Sequence, residues 1–181
     1  AVASVRERSA AQGIDGDQLD NSVRSAGAVY IYVRSGKDWT PQAYVKAERP
    51  SPGARFGSAL SLSHDGDTLV VGVPGDDSDA DGINGDATDS SAPGSGAVFV
   101  FNRSEDTWTQ QAYIKAMASD SFDAFGTAVA VSASGDVVAV GAPQEASGAT
   151  GVDADQTDNS LLRSGAAYVF TRNDDGWSQD T

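Results

Sequence analysis

The chain of 181 residues contains no cysteine, so disulfide bonds and thiol chemistry are excluded, while the compartment is left open. Basic residues are scarce: 12 stand against 26 acidic ones, giving a net charge of −14. That balance argues against nucleic acid and anionic membrane, whose phosphates would be repelled, and is compatible with cation binding or with solubility alone. No apolar run approaches the roughly 20 residues of a membrane span, so no membrane insertion is expected. No signal peptide is visible, and no G-x-x-x-x-G-K-[ST] phosphate loop occurs. The single histidine, His64, sits among turn residues and is read as exposed.

What the chain has instead is a repeat. GIDGDQLDNSVRSAGAVYIY starts at Gly13, GINGDATDSSAPGSGAVFVF at Gly82 and GVDADQTDNSLLRSGAAYVF at Gly151. These starts are 69 residues apart, and Trp39, Trp108 and Trp177 keep the same interval. A fixed period of this length marks stacked copies of one supersecondary unit.

Within the unit, ARFGSALSLS (54–63) and DAFGTAVAVS (123–132) alternate with period two, with small residues on one face. Phe56, Leu60 and Leu62 share the other face. HDGD and ASGD suit tight hairpins. TLVVGVP (68–74) and VVAVGAP (137–143) are continuous apolar runs closed by proline, as in strands buried on both sides. An Asp-rich loop follows, then GAVYIYVR and its copies as a third strand. WTPQAYVKA and WTQQAYIKA form a fourth, where Pro41 and Lys46 suit an edge. No useful window has helical periodicity. The chain is therefore expected to be all-β, each repeat a four-stranded antiparallel sheet.

Sheets covered on both faces and repeated radially make a β-propeller, with the small first strand at the axis and the fourth outermost. A β-sandwich is the alternative, but it normally leaves each sheet one polar face. About 2.6 blades are expected in one repeat-built segment over 1–181. Residues 1–55 read as a partial blade lacking its first strand, 56–124 as a complete blade, and 125–181 as a partial blade lacking most of its fourth strand. Closure would then need a larger propeller, of which this is a fragment, or a homo-oligomer.

Phe56-Gly57 and Phe125-Gly126, followed by Gly72-Val73-Pro74 and Gly141-Ala142-Pro143, resemble the FG-GAP repeat. That repeat builds the seven-bladed propeller of integrin alpha subunits and of many integrin-like bacterial surface proteins. The resemblance implies a non-enzymatic, often calcium-dependent module for extracellular or cell-surface adhesion. One feature departs from it. The integrin calcium loop lies between the FG and GAP strands, where this chain has only His64-Asp65-Gly66-Asp67 or Ala133-Ser134-Gly135-Asp136. Four residues cannot wrap six or more oxygens around calcium.

The carboxylates lie instead between the second and third strands, on the face that integrins use for ligands. DDSDADGINGDATD (76–89) holds six aspartates. Asp77, Asp79 and Asp81 before Gly82 resemble the opening of an EF-hand-type loop, with Asp86 or Asp89 to close it in place of the missing Glu. Asp15, Asp17 and Asp20, then Asp153, Asp155 and Asp158, give a reduced form. Two unit charges about 7 Å apart repel by roughly 2.4 kcal/mol at an effective dielectric of ~20. Ca²⁺, or Mg²⁺ with retained waters, would relieve that repulsion. The competing reading is that these side chains fix turns by bonding backbone N–H groups. The three tryptophans read as blade packing rather than a sugar platform, and Arg24 and Arg163 as loop salt-bridge partners.

The functional expectation is a binding module presenting its loop face to a protein or glycan ligand, with a structural self-assembly element or a lectin-like propeller as alternatives. Paired carboxylates could run glycoside hydrolysis, but three similar loops supply no distinct acid partner.

Overall fold

The computed structural model describes residues 1–180 and contains no helix among them. Eleven strands follow in order: β1 (Val2–Ser4), β2 (Ala28–Ser35), β3 (Asp38–Val45), β4 (Ala59–Leu62), β5 (Thr68–Val73), β6 (Ala97–Ser104), β7 (Thr107–Ile114), β8 (Ala128–Val131), β9 (Val137–Ala142), β10 (Ala166–Asn173) and β11 (Gly176–Gln179). They form three antiparallel sheets, β1-β2-β3, β4-β5-β6-β7 and β8-β9-β10-β11. The chain is all-β, and the sheets pack face to face as successive propeller blades.

The apolar run of the middle sheet explains its position. All six residues of β5 are buried, as a strand covered on both faces requires. Toward the first sheet, Phe56, Leu69, Val71, Phe99 and Phe101 pack on Val29, Ile31 and Val45. Toward the third, Val70, Val98 and Val100 meet Phe125, Val138, Val140 and Phe170. Each junction thus sets an aromatic face against a branched aliphatic one. Phe56 meets Phe99 edge-on at 5.5 Å, and Phe125 meets Tyr168 at 5.3 Å.

The Phe-Gly pair stitches one sheet to the next. The expected strand over 54–63 is regular only from Ala59, because Arg55 and Gly57 take positive φ values. Phe56 leaves the strand and bridges in parallel to Gly27, its N–H donating to Ala26 C=O at 2.8 Å. Phe125 repeats this against Gly96 and Ser95. The backbones are so close that a Cβ on Gly96 would lie 2.1 Å from the Phe125 carbonyl oxygen. Of the three side chains placed on one face, Phe56 is buried but Leu62 is 39% exposed.

A β-bulge makes a second stitch. The β2–β3 register shifts after Ile31 so that Gln42 is left unpaired, and the β6–β7 register does the same at Gln111. Gln42 Oε1 accepts from Trp108 Nε1 at 3.0 Å and Arg103 Nη1 at 3.4 Å. Gln111 Oε1 likewise accepts from Trp177 and Arg172 of the third sheet. Trp108 and Trp177 therefore serve blade packing as expected. Trp39 does not: it is 64% exposed, on the side of the first sheet turned away from the second.

Lys46 also departs from its sequence reading. It lies just beyond β3 rather than guarding an edge, and it is fully buried. Its Nζ sits 2.6 Å from Glu7 Oε2. Lys115 repeats the arrangement, donating to Ser78 C=O and to Ser95 Oγ, with Asp76 at 3.5 Å. A buried ammonium persists only when acceptors surround it. Burial pushes its pKa down and Asp76 pulls it back.

Candidate functional site

The two ends of the sheets differ. One end carries short hairpins. The other carries the connections β1–β2, β5–β6 and β9–β10, which run over residues 5–27, 74–96 and 143–165 and are each 23 residues long. Connections of that length without secondary structure are uncommon in compact domains unless they have a function. All eleven aspartates singled out from the sequence lie in these three loops.

The loops are ordered by their own side chains. Ser9, Ser78 and Ser147 donate to the carbonyls of Asp17, Asp86 and Asp155 and so draw each loop back on itself. Asp17 Oδ1 accepts from Leu19 N–H at 2.8 Å, Asp86 Oδ1 from Thr88 N–H at 2.8 Å, and Asp155 Oδ1 from Thr157 N–H at 2.9 Å. These are Asx turns. Asp20, Asp89 and Asp158 each take the backbone N–H and the hydroxyl of a serine two residues on, Ser22, Ser91 and Ser160. Asp20 also accepts from Ala10 N–H at 2.7 Å. Donors of this kind stabilise the ionised form. The Ala10 bond holds Asp20 below the ordinary carboxylate range, as bonds from Thr88 and Thr157 do for Asp86 and Asp155.

Asp15 has a different task. Its φ is +56°, its N–H donates to Tyr44 C=O at 2.7 Å, and its Oδ1 accepts from Tyr44 N–H at 2.8 Å. The pair continues the β2–β3 sheet with a loop residue. Asn84 does the same to Tyr113, and Asp153 holds the equivalent left-handed backbone in the third loop. The amide at position 84 shows that this place needs an acceptor oxygen, not a charge.

In the middle loop Asp77 Oδ1 accepts from Gly94 N–H and Asp81 Oδ1 from Ser119 N–H, while Asp79 is exposed. Asp77 and Asp81 thus point to different partners. Among the described residues no group of three His, Asp or Glu side chains gathers in a form that could hold a metal. As arranged, nine of the eleven aspartates, all but Asp79 and Asp153, accept from backbone N–H groups.

Two features were missed in the sequence. An acid stands 39 residues before each buried lysine, Glu7 before Lys46 and Asp76 before Lys115; the common interval was the available signal. The third acid of that series, Glu145, is buried and accepts from Ser147 N–H and Tyr168 Oη. Beside it lies Asp123, where the first junction has Ala54. Arg24 and Arg163 were expected to pair with acids. Among the described residues the ion pairs join Lys46 to Glu7, Arg103 to Asp67 and Lys115 to Asp76.

No helix of the described residues is long and apolar enough to cross a membrane. No curated protein matches the chain. The family model described as the FG-GAP repeat matches residues 108–170, about a third of the sequence. The match begins at the inter-sheet tryptophan of β7, takes in Phe125-Gly126 and Gly141-Ala142-Pro143, and ends at Phe170 in β10. Residues 108–170 are therefore similar to the FG-GAP repeat, in keeping with the resemblance carried by the Phe-Gly and Gly-Ala-Pro motifs.

Proposed function

We propose that this chain is a non-enzymatic FG-GAP propeller module that binds an extracellular protein or glycan through the end carrying its three long loops. The observation that carries this reading is the contrast between the two ends: tight hairpins at one, 23-residue loops at the other. Rigid sheets that position long ordered loops are the usual scaffold for recognition. A location outside the cell and a role in adhesion both fit the likeness to the FG-GAP repeat. Catalysis is disfavoured because most of the loop carboxylates accept from backbone donors. The test is saturable binding on an array of glycans and matrix proteins, alongside assays on chromogenic glycosides. Turnover of a glycoside that disappears in an aspartate-to-asparagine variant would replace this reading with an enzymatic one.

Calcium belongs to the same proposal. The six aspartates of 76–89 form the densest charge in the molecule, and a cation there would draw Asp77 and Asp81 off Gly94 and Ser119. Millimolar Ca²⁺ is expected to raise the melting temperature by several degrees, and Asp79→Asn with Asp81→Asn to remove the rise. A melting curve indifferent to calcium and to EGTA would end the calcium reading and leave the binding module intact.

A further inference from the structure

Arg6, Arg8, Arg24 and Arg55 line one cavity of about 960 Å³ between the first and second sheets, together with Val5, Ser25 and Ser58. Arg6, Arg8 and Arg24 come from the β1–β2 loop and Arg55 from the β3–β4 connection, so the cavity opens at the long-loop end. Four of the twelve cationic residues of a chain with net charge −14 converge there.

The fold does not require them. Advancing each position by one 69-residue repeat gives Gly75, Asp77, Pro93 and Ala124. The second unit builds the same loops and the same Phe-Gly stitch with those side chains. Nor are the arginines neutralised from within. The ion pairs among the described residues involve none of the four. Glu7, which lies between Arg6 and Arg8 in sequence, turns away to the buried Lys46. All four arginines are exposed, so their guanidinium groups are open to a ligand. Like charges held together without counter-charge are relieved by an anion, and guanidinium matches the planar or tetrahedral oxygens of carboxylate, sulfate and phosphate with paired hydrogen bonds.

We propose that this cavity is a binding site for a small ligand bearing two or more oxyanion groups. The assignment deepens the reading of this end as ligand-facing and gives that ligand its chemistry. Several arginines in one cleft favour a multivalent anion over a single monoanion, because each group engaged adds to the others.

The probes are citrate, inorganic sulfate and a sulfated disaccharide, each titrated by calorimetry into the full chain at low ionic strength in EGTA. Saturable binding is expected for at least one of them, weakening steeply with added salt. Arg8→Gln with Arg24→Gln is expected to weaken it at least tenfold with an unchanged melting temperature, since the second unit folds with Asp77 and Pro93 there. Arg49→Gln, an exposed arginine outside the cavity, is expected to leave it unchanged. The inference is overturned by no saturable binding of any probe, or by binding that survives the double substitution. Capture of a neutral glycan or protein while every anion fails would overturn the anion assignment alone and leave the propeller module standing.

Discussion

Asp15 shows how one side chain separates the two meanings of an acidic loop. Its carboxylate accepts from Tyr44 N–H, and the same geometry is built at position 84 by an asparagine. A neutral acceptor should therefore serve equally well. Asp15→Asn is expected to change stability by less than about 0.5 kcal/mol. Asp15→Ala loses the bond and places a Cβ residue with no local acceptor at φ near +56°, which together destabilise by about 2 kcal/mol. Urea unfolding of the two variants decides the matter. Equal damage from both would show that the charge itself is needed, as a cation ligand would require. Lys46 teaches the same lesson from the other sign. A lysine near the end of an outer strand looks like a guard against aggregation, but the side chain lies buried on Glu7.

At the scale of elements, the sheets are joined by backbone as much as by side chains. Gly96 and Phe125 approach so closely that no Cβ fits between them, and the φ of Gly96 is +88°. Gly96→Ala is expected to destabilise by about 3 kcal/mol or more, combining backbone strain with a clash that neither sheet can yield to. Gly36, in the β2–β3 hairpin, has φ +62° and open space around its Cα. Gly36→Ala should therefore cost only about 1 kcal/mol. Thermal melts of both variants separate conformational strain from steric exclusion. A small effect at Gly96 would mean that the Phe-Gly stitch contributes little to the stacking of blades. The strands themselves were largely readable, because period-two alternation and continuous apolar runs are local properties. The bulges at Gln42 and Gln111 were not, since their reason lies 66 residues away in Trp108 and Trp177.

At the scale of the whole molecule, charge couples stability to pH. Burial, and the Glu145 carboxylate beside it, push Asp123 up to about 6, against 3.8 for the free side chain. The native state therefore holds a proton on Asp123 that the unfolded chain releases above pH ~4. Stability from this group is fully present below pH ~4 and is lost as pH rises to about 6. Asp65 and Asp136 run the opposite way, because hydrogen bonds from Ser63 and Ser134 hold them below 3.8. Their contribution is present at neutral pH and lost on acidification. Asp123→Ala, which copies Ala54 of the first junction, is expected to raise the melting temperature at pH 7 and to leave it unchanged at pH 4. An equal shift at both pH values would show that the carboxyl acts by its packing and not by its charge.

The sequence by itself determined the repeat, the all-β character, the order of four strands in a unit and the placement of acidic loops at one end. Each follows from patterns within a few residues or from an interval that can be counted. Only the tertiary structure decided what the side chains do. It turned most of the loop aspartates to backbone donors, buried Lys46 and Lys115, left Trp39 exposed and brought four arginines from two connections to one cavity. The physical reason is that a side chain's partner is set by the stacking of sheets tens of residues apart. Burial and electrostatic environment, which fix whether a charge is neutralised, solvated or free to bind, do not exist until those sheets have met.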